Sequence, residues 1–231
     1  MISVVIPTYN ERENVGWILK EVDGALAGRP HEIIVVDDNS PDGTAAEAAK
    51  VEGVRVIKRI GERGLGSAVV RGFAEAKGDV LAVMDADGSH PPTALAMMAE
   101  KIEGGCDLVF PSRHIPGGGI EDWTAFRKLV SKGATLLARG LTKCTDPMSG
   151  YFMLKKSVID GVELNPIGFK IGLEILVKGK HKEYGEIPYV FRNRCAGKSK
   201  LSTREYVSYI KHLTRLYVHK KIGRASCRER V

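Results

Sequence analysis

Short, unbroken apolar runs alternate with segments of helical spacing through the first half of the chain, and this leaves few folds open. The runs are Ile2–Pro7, Glu32–Asp38 (EIIVVDD), Val54–Ile57, Asp79–Met84 (DVLAVM) and Asp107–Phe110. Unbroken apolarity suits strands covered on both faces, as in a parallel sheet. Between them, Val15, Ile18, Leu19, Val22 and Leu26 recur at helical spacing, and Leu65–Ala76 and Ala94–Ile102 also read as helices. Asn10-Glu11-Arg12-Glu13 looks like a helix start. Ser40-Pro41 looks like an N-cap followed by proline at the first helical position, opening an Ala-rich helix through Ala49. The order βαβαβαβαβ predicts an α/β fold, with a mostly parallel sheet flanked by helices on both faces.

The 231 residues, 43% of them hydrophobic, suffice for one sizeable core but not two large ones, so a single domain is expected. With 27% charged residues, 26 glycines and 10 prolines, the chain is neither collagen-like nor wholly disordered. No apolar run approaches the ~18–20 residues of a membrane span. The chain starts on a strand-like run rather than a basic leader, so the expected place is cytoplasmic, peripheral on the cytosolic face of a membrane. The net charge is +7, but Lys220, Lys221, Arg224, Arg228 and Arg230 against Glu229 supply much of it. The basic balance therefore does not point to nucleic acid. Cys106, Cys144, Cys195 and Cys227 form no C-x-x-C and read as reduced thiols.

The second half is less regular. Pro116–Gly119 reads as a loop, and Trp123–Leu141 as a helix with Phe126, Leu129, Val130, Leu136 and Leu137 as its apolar positions. Tyr151–Leu154 reads as a strand, Leu173–Val177 as a helix and Gly185–Phe191 as a strand. A last helix begins near Thr203, with Tyr206, Tyr209, Ile210, Leu213, Leu216 and Tyr217 on one face. That face suits either packing on the domain or a basic amphipathic helix on an anionic membrane. The expected organisation is one domain over 1–222, with the amphipathic helix at about 203–221. Residues 223–231 (GRASCRERV) read as a non-native or disordered tail.

In open α/β sheets, ligands bind beyond the carboxyl ends of the strands. Asp85-Ala86-Asp87 follows the fourth strand, with Gly88 and Pro91-Pro92 shaping its exit. Two carboxylates there suit a hard divalent cation that keeps its other positions for phosphate oxygens and water. Asp37-Asp38, with Pro7-Thr8-Tyr9-Asn10-Glu11, outlines a nucleoside pocket. Arg113, Arg127, Arg194, Lys198 and Lys200 are cations that a diphosphate and an anionic acceptor would need. The chain lacks a G-x-G-x-x-G after the first strand, a G-x-x-x-x-G-K-[ST] and a G-x-S-x-G.

VVIPTYNERENV, EIIVVDDNSPDGT, VMDADGSHPP, SRHIPGGG, KLVSKGATLLARGLT, DPMSGYFMLKK, FKIGLEILVKG and GKSKLS, in this order over nearly the whole chain, resemble the dolichol-phosphate mannosyltransferases. These are inverting family-2 glycosyltransferases of the GT-A (Rossmann-like) fold. The resemblance implies transfer of mannose from GDP-mannose to a dolichyl or polyprenyl phosphate, with Mg²⁺ or Mn²⁺. It also implies contact with a membrane surface and leaves room for a membrane-anchoring partner subunit. A related enzyme using UDP-glucose, or a non-catalytic nucleotide-sugar-binding protein on a membrane, is the alternative.

Carried over by position, Pro7, Tyr9, Glu11, Asp37, Asp38 and Asp85 match donor-nucleotide residues. Asp85 and Asp87 match metal and donor-sugar carboxylates, with Ser89 where many members have a metal-binding Gln. Asp87, Arg113, Arg127, Arg194 and Lys200 match the catalytic set, the cations lying near the donor diphosphate and acceptor phosphate. Asp146 and Ser149 lie in the acceptor-side DPMSG segment.

Overall fold

A computed structural model of the chain describes residues 1–121, 123–168, 170–192 and 203–228. The predicted alternation is present: β1 (Ile2–Thr8), α1 (Arg12–Ala25), β2 (His31–Asp37), α2 (Thr44–Ala48), β3 (Val54–Lys58), α3 (Leu65–Glu75), β4 (Val80–Val83), α4 (Thr93–Glu103) and β5 (Leu108–Ser112). There follow β6 (Gly119–Ile120), α5 (Ala125–Ala138), β7 (Phe152–Lys155), α6 (Ile171–Lys178), β8 (Tyr184–Pro188), β9 (Val190–Phe191) and α7 (Thr203–Arg228).

The main sheet has seven strands in the order β3-β2-β1-β4-β7-β5-β8. All its pairings are parallel except those of β7, which runs antiparallel to both β4 and β5. β6 and β9 form a separate two-stranded ribbon.

Alternate residues of the central strands feed opposite layers, as the pleat requires. Val4, Ile6, Val35, Ala82 and Met84 pack with Ile18, Leu19, Leu95 and Met98 of α1 and α4. Val5, Ile34, Val36, Val83 and Phe152 pack with Val69, Phe73, Ile171 and Ile175 of α3 and α6. Gly72 lets α3 approach β1 closely, because a Cβ there would lie 2.3 Å from Val5 Cγ1. A third cluster, including Ala138, Met148, Leu173, Tyr209, Leu213 and Leu216, joins α5, α6 and α7.

Five expectations differ from the structure. The second helix starts at Thr44 rather than Ser40, because Ser40 is drawn into the loop by Asp37 and Gly43 turns the chain at φ 89°. The strand expected over 185–191 divides at Tyr189, β8 joining the main sheet and β9 the ribbon. The last helix continues past 221 to Arg228. On α5 the apolar positions read from the sequence turn outward rather than into the core: Phe126, Leu129 and Leu136 are 74%, 68% and 65% exposed, while Thr135 and Ala138 are buried. On α7, Tyr209, Leu213 and Leu216 pack on the body while Ile210 faces out. The Tyr206 side chain lies outside the described residues.

Candidate active site

The carboxyl ends of β1, β2 and β4 bring the predicted polar residues to one rim. Asp37 is fully buried and braces two loops. Thr8 Oγ1 and Ser40 Oγ donate to its Oδ1 at 3.0 and 2.5 Å, and Ser40 N donates to its Oδ2 at 2.8 Å. Asn10 N in turn donates to Ser40 Oγ, and Glu11 N to Thr44 Oγ1. Asn10 and Asn39 take positive φ (56° and 53°), which Asn tolerates better than most residues. Pro7 is buried in β1. The buried Glu11 accepts from Asn14 Nδ2 at 2.9 Å.

Asp38 receives Arg59 Nε at 2.7 Å as well as Arg59 Nη2, and Gly64 N donates to its other oxygen. Arg59 is itself buried and continues to Ser67 Oγ and the Gly64 carbonyl, so this ion pair fixes the loop between β3 and α3. On that loop Arg63 lies over the Tyr9 ring, 4.0 Å from its centroid. The Asp37 and Asp38 carboxylates thus have internal partners, while Tyr9 and Arg63 give the rim a flat, cation-backed ring. The sequence alone could not separate an acid that meets ligand from one that shapes its loop.

Beyond β4, Asp87 is buried and its Oδ1 accepts from Ser89 N at 2.9 Å. Asp85 is part-exposed, and Gly88 reverses the chain at φ 76°. His90 is buried, and its Nδ1 lies 3.8 Å from Asp85 Oδ2 and has no hydrogen-bond partner among the described residues. Its ring packs on Tyr151, Tyr189 and Phe191. Burial pushes the imidazole below its ordinary pKa although Asp85 and Asp87 pull it upward. No cluster of three or more His, Cys, Asp or Glu side chains among the described residues could hold a metal. An oxygen-only donor set of two carboxylates nevertheless fits Mg²⁺ or Mn²⁺ whose remaining ligands come from phosphate and water.

The opposite wall is delivered by β7. Its antiparallel insertion beside β4 lays the segment before it against the acid pair, and a Cβ at Gly150 would sit 3.8 Å from Asp85 Oδ2. In that segment Asp146 grips Arg113 through two parallel bonds, Nε to Oδ2 and Nη2 to Oδ1, each 2.6 Å, and Arg113 N adds a third at 3.1 Å. Both residues are buried. Burial raises the Asp146 carboxyl, but the hydrogen bonds and charge of Arg113 outweigh it and hold the group below the usual range. Ser149 Oγ accepts from Tyr151 N, holding the turn into β7.

Thr124 caps α5 by accepting from Arg127 N, and this places the Arg127 guanidinium 4.0 Å from the Trp123 ring centroid. Arg113 approaches the same ring at 5.2 Å, so Trp123 brings the two arginines together. Arg194, Lys198 and Lys200 lie outside the described residues. His90, Trp123 and Lys170 were not singled out from the sequence. Lys170 immediately precedes α6, which begins two residues before the helix read from the sequence at Leu173.

The family model for glycosyl transferase family 2 matches residues 3–162, which hold both carboxylate rims and the Arg113–Asp146 pair. The chain belongs to glycosyl transferase family 2. Curated relatives of this family 2 chain include a dolichol-phosphate mannosyltransferase of Pyrococcus furiosus, 48% identical, the match covering 93% of this chain and 63% of that protein. The chain thus spans less than two thirds of that relative. The protein of the same name from Saccharomyces cerevisiae is 39% identical, with 94% and 87% covered. The one from Mycosarcoma maydis is 40% identical, with 93% and 78% covered. A glucosyl-3-phosphoglycerate synthase from Mycobacterium tuberculosis, solved with Mn²⁺ and UDP, superposes with a TM-score of 0.70 at 19% identity, covering 95% of this chain and 79% of that one. The fold is therefore GT-A, as the sequence resemblance implied.

Proposed function

We propose that this family 2 chain transfers mannose from GDP-mannose to a dolichyl or polyprenyl phosphate, giving a β-linked lipid-phosphate sugar. The observation that carries the reading is the approach of the Asp146–Gly150 segment to Asp85, which sets an acceptor-side wall against a donor-side acid pair. The names of the curated relatives point the same way.

In this reading Tyr9 and Arg63 face the nucleoside, and Asp37 and Asp38 hold the loops that shape its pocket. Asp85, Asp87 and Ser89 would hold Mg²⁺ or Mn²⁺. When bound, that cation offsets charge on the leaving diphosphate. A phosphate acceptor is already anionic at neutral pH, so its oxygen needs little help from a base. It attacks the anomeric carbon in line as the bond to the diphosphate oxygen breaks, the configuration inverts, and GDP leaves with the electron pair. The demand on the protein is to align two like-charged partners. Arg113 and Arg127, joined on Trp123, answer it, and Arg194 and Lys200 carry the same role by position.

The test is labelled-sugar transfer to a short polyprenyl phosphate, with GDP-mannose and UDP-glucose compared with and without Mn²⁺. Metal-dependent product from GDP-mannose alone is expected. Product from UDP-glucose alone would replace the donor, and no product with either would sink the reading.

The lipid acceptor implies work at a membrane surface, peripheral on the cytosolic face. No helix among the described residues is long and apolar enough to cross a membrane. The outward face of α5 suits the surface instead: Phe126, Leu129, Leu136 and Leu137 are exposed together with Lys128, Lys132 and Arg139, and the helix carries no acid. Apolar residues ringed by cations match an anionic bilayer interface. Replacing Leu129 and Leu136 by Ser together should weaken binding to phosphatidylserine-containing vesicles at least ~10-fold, since each buried leucine contributes about 1.5–3 kcal/mol. Thermal unfolding should stay within about 2 °C, because neither side chain packs on the body. Unchanged vesicle binding in a flotation assay would remove α5 from the interface.

A further inference from the structure

We propose that His90 is a positioning residue for Asp85, its Nδ1–H bonding one carboxylate oxygen when a divalent cation enters the acid pair. The role rests on the metal site of the reading above. His90 is 3% exposed, and its Nδ1 has no hydrogen-bond partner among the described residues. Buried polar atoms are nearly always paired, so a lone one calls for a partner that arrives or moves. Asp85 Oδ2 lies 3.8 Å from that nitrogen, just beyond hydrogen-bond reach. A carboxylate only accepts, so the bond needs the proton on Nδ1.

The surroundings say which side moves. The His90 ring packs on Tyr151, Tyr189 and Phe191, with centroids 5.0, 5.9 and 5.8 Å away. Tyr151 is fully buried, and its hydroxyl donates to the Pro91 carbonyl at 3.0 Å, which ties the ring stack to the residue after His90. The imidazole is therefore held. The Asp85 side chain is 29% exposed and faces Gly150, where a Cβ would lie 3.8 Å from Oδ2 and 4.0 Å from Oδ1. With glycine there, the carboxylate has room for the shift of about 1 Å that makes the bond. Asp87 already has a backbone donor in Ser89 N, so each acid of the pair then has a donor that fixes its orientation. Such bonds to metal-holding carboxylates matter: losing one typically costs about 10–100-fold in metal affinity. Packing alone does not call for a histidine, because a leucine fills a ring-lined space without burying an unpaired nitrogen.

The experiment compares wild type with His90→Leu and His90→Asn. Calorimetry measures Mn²⁺ binding at saturating GDP, and GDP binding without metal, with thermal unfolding followed in parallel. His90→Leu keeps the bulk and removes the donor. Its Mn²⁺ Kd should rise about 10–100-fold while metal-free GDP affinity stays within about twofold. Its Tm should fall by no more than about 2 °C. In His90→Asn the amide nitrogen is as many bonds from the backbone as Nδ1. This variant should bring the Mn²⁺ Kd to within about fivefold of wild type, although the lost ring lowers its Tm. Metal affinity and stability then rank the two variants in opposite orders, which a purely structural histidine does not do. A Mn²⁺ Kd for His90→Leu within about twofold of wild type, or metal affinity that follows Tm across both variants, would overturn the proposal. In that case Mn²⁺ binding by wild type leaves the metal reading standing. If wild type itself binds no Mn²⁺ at saturating GDP, the metal reading falls and the role of His90 falls with it.

Discussion

Asp87→Ala should lower kcat for sugar transfer by about 10³-fold or more, while prenyl-phosphate binding changes little. Asp87 is the buried member of the acid pair, and its Oδ1 is fixed by Ser89 N. That bond holds the carboxylate in place before any ligand arrives, so the group is preorganised rather than recruited. Loss of one such electrostatic contact typically costs about 10²–10³ in rate, and loss of a metal-holding carboxylate costs more. Asp87→Asn separates the two parts of the effect. It can keep the bond from Ser89 N while discarding the charge, so it should restore the loop but not the rate. Single-turnover transfer at saturating GDP-mannose, with unfolding followed in parallel, reads both. Turnover in Asp87→Ala within tenfold of wild type would sink the metal-site assignment.

Asp146→Ala should destabilise the fold by about 3–5 kcal/mol, because it leaves the Arg113 guanidinium buried without its counter-charge. Three bonds converge on this carboxylate, and Asp146 has no exposed surface. Asp146→Asn should lose less, since an amide still accepts from Arg113 N. Urea unfolding at pH 7 measures both, and a loss below about 1 kcal/mol for Asp146→Ala would mean that Arg113 relaxes into solvent. The pH dependence has a definite sign. The folded carboxyl lies below its unfolded value of about 3.9, so its contribution is complete above that value. It is lost as pH falls through the lower folded one. Wild type should therefore lose more stability than Asp146→Asn when both are taken from pH 5 towards pH 2.

The first half of the fold was legible because β1–β5 and α1–α4 are local patterns. An unbroken apolar run followed by helical spacing has one good solution in a sheet covered on both sides. The position of β7 was not legible. The strand read at Tyr151–Leu154 lies one residue early of Phe152–Lys155, but nothing local says that it runs antiparallel and enters between β4 and β5. On α5 the period of Phe126, Leu129 and Leu136 marks an apolar face without saying what covers it, and the face turned outward. At the site, Asp85-Ala86-Asp87 stood out because two acids ended a buried strand. The partnership of Asp38 with Arg59, and of Arg113 with Asp146, spans 21 and 33 residues and has no spacing rule. His90 was missed because the rings around it, Tyr151, Tyr189 and Phe191, come from a distant part of the chain.

The strand order also bears on synthesis at the ribosome. β5 leaves the exit tunnel before β7, yet it reaches β4 only through β7. A nascent chain that has emerged as far as Ser112 thus holds four parallel strands, β1–β4, and a fifth with no neighbour to pair with. The interval while residues 113–151 are translated is therefore a window in which one edge of β4 and both edges of β5 lie open. Open edges are the usual templates for intermolecular pairing. A chain stalled before Phe152 should bind chaperones or aggregate, and one stalled well past Pro188 should not.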